Sequence, residues 1–246
     1  MIDFDCSPAG VPIRDDLREA HRFLRLHLSS PGTWWSAHER LAIAAESRNA
    51  IGCGLCGERK AALSPNAVTG SHDTLGVLPA DVVEVVHRVR TDSGRLSKVW
   101  FDRVIAGGLE ETRYVELVSI VALLAGVDYF ARALGIAPPL LPEPLGGEPS
   151  RHRPTSAKAQ AAWVPMIAAE DVQDLEADIY GGAPFVPNIM RALSLVPDEA
   201  RMLQRASSAH YVAVAQIGDP TVRRSLDRMQ MELVAARVSA LNECFY

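Results

Sequence analysis

A helix-like stretch that occurs twice constrains the fold of this chain more than any other feature of the sequence. The first copy, residues 39–56, reads ERLAIAAESRNAIGCGLC, and the second, residues 232–244, reads ELVAARVSALNEC. In both copies an Asn follows the Glu by ten residues, and a Cys comes shortly afterwards. We therefore expect two related helical modules.

The rest of the chain also favours helices. Ser36 and Glu39 have the spacing of a capping box at the start of the first copy. Apolar residues at helical spacing, and the Gly and Pro residues between them, define the other segments. Helices are predicted over residues 15–29, 36–50, 58–63, 81–90, 95–106, 110–135, 170–179, 188–195, 198–218 and 221–245. No stretch indicates a confident strand or hairpin, so the predicted fold class is all-α.

One segment, residues 137–165, is rich in Pro, Gly, Ser and Arg and indicates a module boundary. We expect a first module over residues 1–136. A linker with a short helix is expected over residues 137–184. A second module is expected to begin in residues 185–246 and to be truncated there.

Composition and charge disfavour several classes of protein. A hydrophobic content of 48% is sufficient for a buried core, and a net charge of −5 with mixed signs gives no basic footprint for nucleic acid. The N-terminus carries acids where a secretion signal carries lysines, and the most apolar stretch, residues 115–127, is too short to span a bilayer. We expect a soluble, cytoplasmic protein that binds neither nucleic acid nor a membrane.

The pair Cys53 and Cys56 carries the chemistry that we predict. In a cytoplasmic chain, a Cys-x-x-Cys pair is typical of a redox-active or metal-binding site. A predicted helix start after Cys56, together with Arg59 and Lys60, favours a reactive thiolate. One sulfur can attack a substrate while the other resolves the adduct as a disulfide. Glu39, one helix earlier, is the candidate proton acceptor.

Other interpretations of the thiols stay open. A zinc site would need two further ligands, of which His72 is one candidate, and an inert pair is the third alternative. His72 lies in the loop sequence Ser-His-Asp just downstream of the thiols and could fold back over them. We expect the candidate histidines to lie at a surface or interface, and His72 is the best candidate among them for the site; they are His38, His72, His87 and His210.

With these residues in view, the chain resembles the alkylhydroperoxidase D and carboxymuconolactone decarboxylase superfamily, most of all its peroxidase-related branch. The family motif is a Glu, an Asn ten residues on, a Cys-x-x-Cys pair and a His four residues after the second Cys. Glu232, Asn242 and Cys244 match the motif at its usual spacing. The first copy matches with two extra residues before the pair; its matching residues are Glu39, Asn49, Cys53 and Cys56. The resemblance covers most of residues 34–136 and 185–246.

The resemblance implies an all-α homo-oligomer that reduces hydroperoxides without a cofactor or metal and is regenerated by a thiol or disulfide reductant. It implies that Cys56 attacks, that Cys53 resolves and that Glu39 takes part in the proton relay. Glu232 and Cys244 would belong to a second site. Lys60 stands where the family has its His, and the second motif stops at Tyr246, so we expect a truncated sequence.

Two other functions compete with hydroperoxide reduction. A decarboxylase-type lactone enzyme of the same superfamily would not use the Cys-x-x-Cys pair, so the pair disfavours that function. A non-catalytic helical module for oligomerisation or partner binding, with a vestigial site, is the remaining alternative.

Overall fold

The predicted all-α class is confirmed by a computed structural model of the chain, which describes residues 6–181, 186–213, 216–242 and 244. Within those ranges there are nine α-helices and no β-strand. The helices are α1 (Asp15–Ser29), α2 (Ala37–Asn49), α3 (Gly54–Ala61), α4 (Ala80–Asp92), α5 (Lys98–Ala106), α6 (Glu111–Ala133), α7 (Asn188–Arg191), α8 (Pro197–His210) and α9 (Arg228–Leu241).

The capping box predicted at the start of α2 is confirmed. The Ser36 side chain accepts a hydrogen bond from the backbone N–H of Glu39, and the Glu39 carboxylate accepts one from the backbone N–H of Ser36 at 2.8 Å. Two of the free N–H groups at the helix start are thereby satisfied. The helix begins at Ala37 for this reason.

The predicted helix over residues 170–179 is wrong. The chain forms two single 3-10 turns there, Ala169–Asp171 and Asp174–Glu176. Asp174 adopts a φ of 47°, in the left-handed region, which a continuous right-handed α-helix does not accommodate.

Several other predicted helix boundaries are shifted. Helices α3 and α5 begin at Gly54 and Lys98, not at residues 58 and 95, and α9 begins at Arg228, not at residue 221. Helices α7 and α8 end at Arg191 and His210, not at residues 195 and 218. Residues 243 and 245 of the last predicted helix lie outside the part of the chain that the structure describes.

The main hydrophobic core lies among α2, α4 and α6. Ile43 of α2, Val86 of α4 and Leu117 of α6 are fully buried in it. Leu195 and Val196, which precede α8, are buried in the same cluster. Residues of the predicted second module thus share a core with the first, and the division into modules stays a prediction.

A buried ionic network connects four helices beside this core. Arg40 of α2 forms ion pairs with Glu116 of α6 and, at 2.8 Å, with Glu199 of α8. Glu199 also contacts His27 of α1 at 2.8 Å and accepts a hydrogen bond from Ser119 at 2.5 Å. Buried charges are tolerated only when they are paired and hydrogen-bonded, and this network meets that condition.

Helix α6 is long and apolar enough to cross a bilayer by length and composition. Half of its most apolar window is buried inside the molecule. Its buried residues include Glu116, Ser119 and Asp128, which bond to neighbouring helices. These contacts fit the core helix of a helical bundle.

Candidate thiol and histidine site

The two cysteines are brought together by the junction between α2 and α3. A 3-10 turn, Ala50–Gly52, follows α2 directly, and Cys53 is then the N-cap of α3. Cys56 lies in the first turn of that helix, not ahead of it as predicted. Both side chains are buried, each 3% exposed. Cys56 thus lies close to the free N–H groups of a helix start, which favour an anion.

Asp73 holds this helix start in place from the neighbouring loop. Its carboxylate accepts a hydrogen bond of 2.7 Å from the backbone N–H of Gly54. Its own backbone N–H lies 3.4 Å from the sulfur of Cys53. The loop is thus fixed against the thiols.

His72, in the same loop, lies between the two sulfurs. Its Nδ1 is 3.5 Å from the Sγ of Cys53 and 3.5 Å from the Sγ of Cys56. Its Nε2 is 2.8 Å from Glu84 of α4, whose carboxylate also accepts a hydrogen bond from Arg59 at 2.9 Å. The structure therefore brings His72 to the dithiol, as the sequence predicts.

His87 of α4 is a second histidine beside Cys56. Its Nδ1 lies 3.3 Å from the Cys56 sulfur, and its Nε2 lies 2.9 Å from the carboxylate of Glu46 in α2. Its ring centroid is 4.2 Å from that of His72. The prediction that His87 lies at a surface or interface is wrong, because the residue is fully buried.

The carboxylate of Glu46 is itself held firmly. It accepts hydrogen bonds from the side chains of Asn49 and Thr74 at 3.0 and 3.1 Å and from the backbone N–H of Leu75 at 3.0 Å. Together with the bond to His87, these contacts lower the pKa of Glu46 against the opposing effect of burial. Glu46 is therefore an anion that orients His87.

The electrostatics of the cluster favour a thiolate. Burial by itself raises the pKa of the Cys56 thiol, but hydrogen bonds from His72, His87 and Thr91 outweigh it and lower the pKa to about 6. Burial lowers the pKa of His72, whereas its bonds to Cys56 and Glu84 raise it to about 10. At neutral pH the pair is a thiolate beside an imidazolium, which is the form in which a cysteine attacks.

A cavity of about 660 Å³ opens against Cys56. Its wall includes apolar side chains such as Ile136 and Tyr129, together with four cationic side chains, Arg48, Lys60, Arg90 and Arg132. This volume is in the range of small-molecule sites. Lys60, which stands where the family motif has its His, is exposed at this cavity and is not among the groups that contact the sulfurs.

The structure does not bring Glu39 to the thiols. Its carboxylate caps α2 at Ser36 and pairs with Arg113 at 3.1 Å. Glu46, seven residues later, is the α2 carboxylate that reaches the site through His87. Sequence reasoning missed Glu46, Glu84 and His87. The spacing of Glu84 and His87, three residues apart on one helix, was the available signal, since such residues share a face.

The second motif lies apart from this cluster. Glu232 is exposed on α9 and bonds to Arg228 at 2.6 Å and to the hydroxyl of Tyr211. Cys244 is an exposed free cysteine, and Asn242 follows the end of α9. None of the described contacts of Glu232, Asn242 or Cys244 reaches the side chains of the thiol and histidine cluster, which are Cys53, Cys56, His72 and His87.

Those four side chains are also the group that could hold a metal ion. One donor atom from each, two sulfurs and two imidazole nitrogens, lies within 4.8 Å of every other. Sequence reasoning identified three of the four and missed His87.

Comparisons of the chain with family models, with curated proteins and with solved structures found no match. The function is therefore argued from the geometry of the site.

Proposed function

We propose that this protein is a thiol-dependent hydroperoxide reductase in which Cys53 and Cys56 form the redox-active pair. The observation that carries the proposal is the position of His72, whose Nδ1 is 3.5 Å from both sulfurs. One imidazole can thus serve the proton transfers of both sulfurs. The cavity against Cys56 supplies room for a small substrate.

In the first step the Cys56 thiolate attacks the outer oxygen of the hydroperoxide. A sulfur–oxygen bond forms, the oxygen–oxygen bond breaks, and its electron pair leaves with the alkoxide. The imidazolium of His72 gives its Nδ1 proton to that alkoxide, which departs as an alcohol. Cys56 is then a sulfenic acid.

In the second step Cys53 resolves the sulfenic acid. The Cys53 thiol gives its proton to the neutral Nδ1 of His72 and attacks the sulfur of Cys56. The sulfur–oxygen bond breaks, and the leaving hydroxide takes the proton from His72 to form water. The product is a Cys53–Cys56 disulfide, and two electrons have passed to the hydroperoxide. An external dithiol returns the pair to its reduced form.

His87 and Glu46 support the attacking thiolate without taking part in these transfers. Because Glu46 accepts a bond at Nε2, His87 directs Nδ1 towards Cys56. The pKa of His87 is raised: burial lowers it, but the bonds to Cys56 and Glu46 outweigh that effect. The contact of His87 with the Cys56 sulfur therefore favours the thiolate. In our proposal Glu46 replaces Glu39 as the carboxylate of the site.

The proposal is consistent with an alkylhydroperoxidase D-like fold. The helical class, the Cys-x-x-Cys pair at a helix start and the adjacent carboxylate and imidazole are what that resemblance implies. In our proposal His72 and His87 supply the imidazoles beside the thiols, whereas the family motif has a His at position 60, where this chain has Lys60. Homo-oligomerisation, a cytoplasmic location and a thiol reductant partner stay predictions from the resemblance.

The test is hydroperoxide consumption by the chelator-treated protein with dithiothreitol as reductant. We expect Cys56→Ser to lower the rate at least 100-fold. In a separate assay without dithiothreitol, Cys53→Ser should consume one equivalent of hydroperoxide and leave Cys56 as a sulfenic acid. Cys244→Ser is the matched control and should keep the wild-type rate, since that thiol is exposed and belongs to neither sulfur of the pair. A wild-type rate in Cys56→Ser would contradict the proposal.

A further inference from the structure

The sulfur and imidazole atoms of the site have the spacing of a tetrahedral metal centre. Three sulfur–nitrogen distances are 3.5 Å (Cys53 to His72), 3.5 Å (Cys56 to His72) and 3.3 Å (Cys56 to His87). Zinc bonds of about 2.3 Å to sulfur and about 2.0 to 2.1 Å to nitrogen, at a tetrahedral angle, place the two ligand atoms about 3.5 Å apart. The spacing of the side chains therefore fits a zinc ion at their centre.

We propose that the reduced protein binds one Zn²⁺ through the sulfurs of Cys53 and Cys56 and the Nδ1 atoms of His72 and His87. All four donor atoms lie within 4.8 Å of one another, and three of the four residues are fully buried. Two thiolates and two imidazoles are the ligand set of many structural zinc sites. Soft sulfur ligands also disfavour Mg²⁺ and Ca²⁺, which prefer oxygen.

The groups behind the two histidines match what a metal-bound imidazole requires. His72 contacts Glu84 at 2.8 Å through Nε2, and His87 contacts Glu46 at 2.9 Å through the same ring atom. Each carboxylate accepts a hydrogen bond from Nε2–H, so the ring proton stays on Nε2 and a lone pair remains on Nδ1, the atom that faces the sulfurs. A carboxylate behind each ligating histidine is a common feature of zinc proteins, where it fixes the tautomer and ring orientation.

The charge of the complete site also balances. Two thiolates neutralise the ion, so a neutral centre results with both histidines uncharged. Arg59 compensates the charge of Glu84 at 2.9 Å, and Glu46 is stabilised by its three other hydrogen bonds. A neutral centre costs little desolvation in a buried position.

Zinc and the disulfide exclude each other. A disulfide has no thiolate sulfur to bind the ion, so the oxidised pair cannot hold zinc, and the pair must lose zinc before Cys56 can attack. If the proposed function holds, the zinc-loaded form is a protected state in which Cys56 cannot attack. This regulatory consequence rests on the proposed function, whereas the zinc site itself does not.

The direct test is Co²⁺ titration of the reduced, metal-free protein, followed by competition with Zn²⁺. We expect one ion per chain and the visible and near-ultraviolet bands of tetrahedral cobalt with thiolate ligands. The zinc dissociation constant should be below about 1 μM. X-ray absorption of the wild-type zinc complex should give two sulfur and two nitrogen ligands, a measurement that depends on no variant.

Variants identify the ligands. Cys53→Ser and His72→Asn should each weaken zinc binding at least 100-fold, and Glu84→Gln, behind His72, by roughly 10- to 100-fold. His38→Gln, a control outside the cluster, should leave the affinity unchanged. Binding that is weaker than about 1 μM in the folded wild type, or undiminished in Cys53→Ser and His72→Asn, overturns the proposal.

The outcome is separable from that of the proposed function. Hydroperoxide reduction is measured in the presence of a chelator, and zinc binding is measured without hydroperoxide. Zinc binding by a protein that reduces no hydroperoxide contradicts the proposed function alone. Hydroperoxide reduction by a protein that binds no zinc contradicts the zinc site alone.

Discussion

At the scale of single residues, the reactivity of Cys56 depends on the two imidazoles that contact its sulfur. A buried thiol without such partners is protonated and inert. His72 at 3.5 Å and His87 at 3.3 Å reverse that effect. The ionisation of the Cys56 thiol therefore depends on the positions of these two imidazoles.

The first prediction concerns the pH dependence of Cys56 alkylation in chelator-treated, reduced protein. Its pKa is lowered to about 6 from an ordinary 9.0, so the alkylation rate should rise through pH 6 and level off by about pH 7. Peptide mapping after iodoacetamide pulses measures this rate. In His72→Gln, which removes one hydrogen bond, the midpoint should move upward. A wild-type midpoint near pH 9 would show that the cluster does not stabilise the thiolate.

The second prediction separates Glu46 from Glu39. Glu46→Gln removes the carboxylate that raises the pKa of His87 and directs its Nδ1 towards Cys56. The midpoint of Cys56 alkylation should therefore rise, and the rate at pH 7 should fall roughly tenfold. Glu39→Gln is the matched control on the same helix. It should keep the rate and midpoint of Cys56 and lose about 1 kcal/mol of stability through the weakened capping box. A slower alkylation of Cys56 in Glu39→Gln, with no change in Glu46→Gln, would show that Glu39 and not Glu46 is the carboxylate of the site.

Much of the site could be predicted from sequence, and the remainder depends on packing. The Cys-x-x-Cys spacing identified both thiols, and the short loop made His72 a candidate. Motif spacing selected Glu39 and gave no signal for Glu46. At 1.5 Å per residue, however, seven residues place Glu39 about 10 Å further from the junction with α3. His87 sits among buried valines of α4, and only the packing of α4 on α2 and α3 shows that it faces a thiol.

At the scale of secondary-structure elements, the close approach of residue 32 to the buried ionic network is a sensitive point. A Cβ on Gly32 would overlap the carboxylate of Glu116 and the guanidinium of Arg40. Both of those side chains are buried and already bonded to partners, so neither can move freely. The segment between α1 and α2 thus requires a residue without a side chain.

The third prediction follows from that contact. Gly32→Ala should destabilise the protein by about 3 kcal/mol, since it separates a buried ion pair. Gly126→Ala is the control: it lies in α6 with no atom within 4 Å of the added Cβ, and it should stabilise the protein by about 0.5 to 1 kcal/mol. Urea unfolding measures both. Equal stability of the two variants would contradict the rigidity of the network.

Element boundaries show where sequence patterns were informative and where they were not. The start of α2 was predicted because its capping box is local. The start of α9 was missed although Asp227 and Gln230 form a similar capping box there. The end of α8 was missed because its last carbonyls bind a distant side chain. Arg224 donates to the carbonyl oxygens of Ser208 and Tyr211, at 3.1 Å each, and so satisfies the helix end.

At the scale of the whole molecule, α1 and α8 are joined by a pair of histidines from opposite ends of the chain. The Nε2 atoms of His21 and His210 are 3.0 Å apart, and the ring of Phe130 packs against both. Burial, with the neighbouring His210, lowers the pKa of His21 to about 4. This pair makes folding sensitive to acid.

The fourth prediction concerns that sensitivity. In the unfolded chain His21 has its ordinary pKa of 6.5 and is protonated below that pH. In the folded chain it stays neutral down to about pH 4. Stability should therefore fall between pH 6.5 and pH 4, by up to about 3 kcal/mol from this group. Urea unfolding at several pH values measures the slope, and His21→Gln should reduce it. An unchanged slope in His21→Gln would assign the acid sensitivity to other groups.

A single oxidation tests whether Cys53 and Cys56 form the redox pair. Reduced, chelator-treated protein is mixed with one equivalent of cumene hydroperoxide, quenched within seconds and mapped by mass spectrometry. We expect the loss of two thiols per chain and a disulfide between Cys53 and Cys56, with Cys244 still reduced. Free thiols at Cys53 and Cys56 after the hydroperoxide treatment would contradict this expectation.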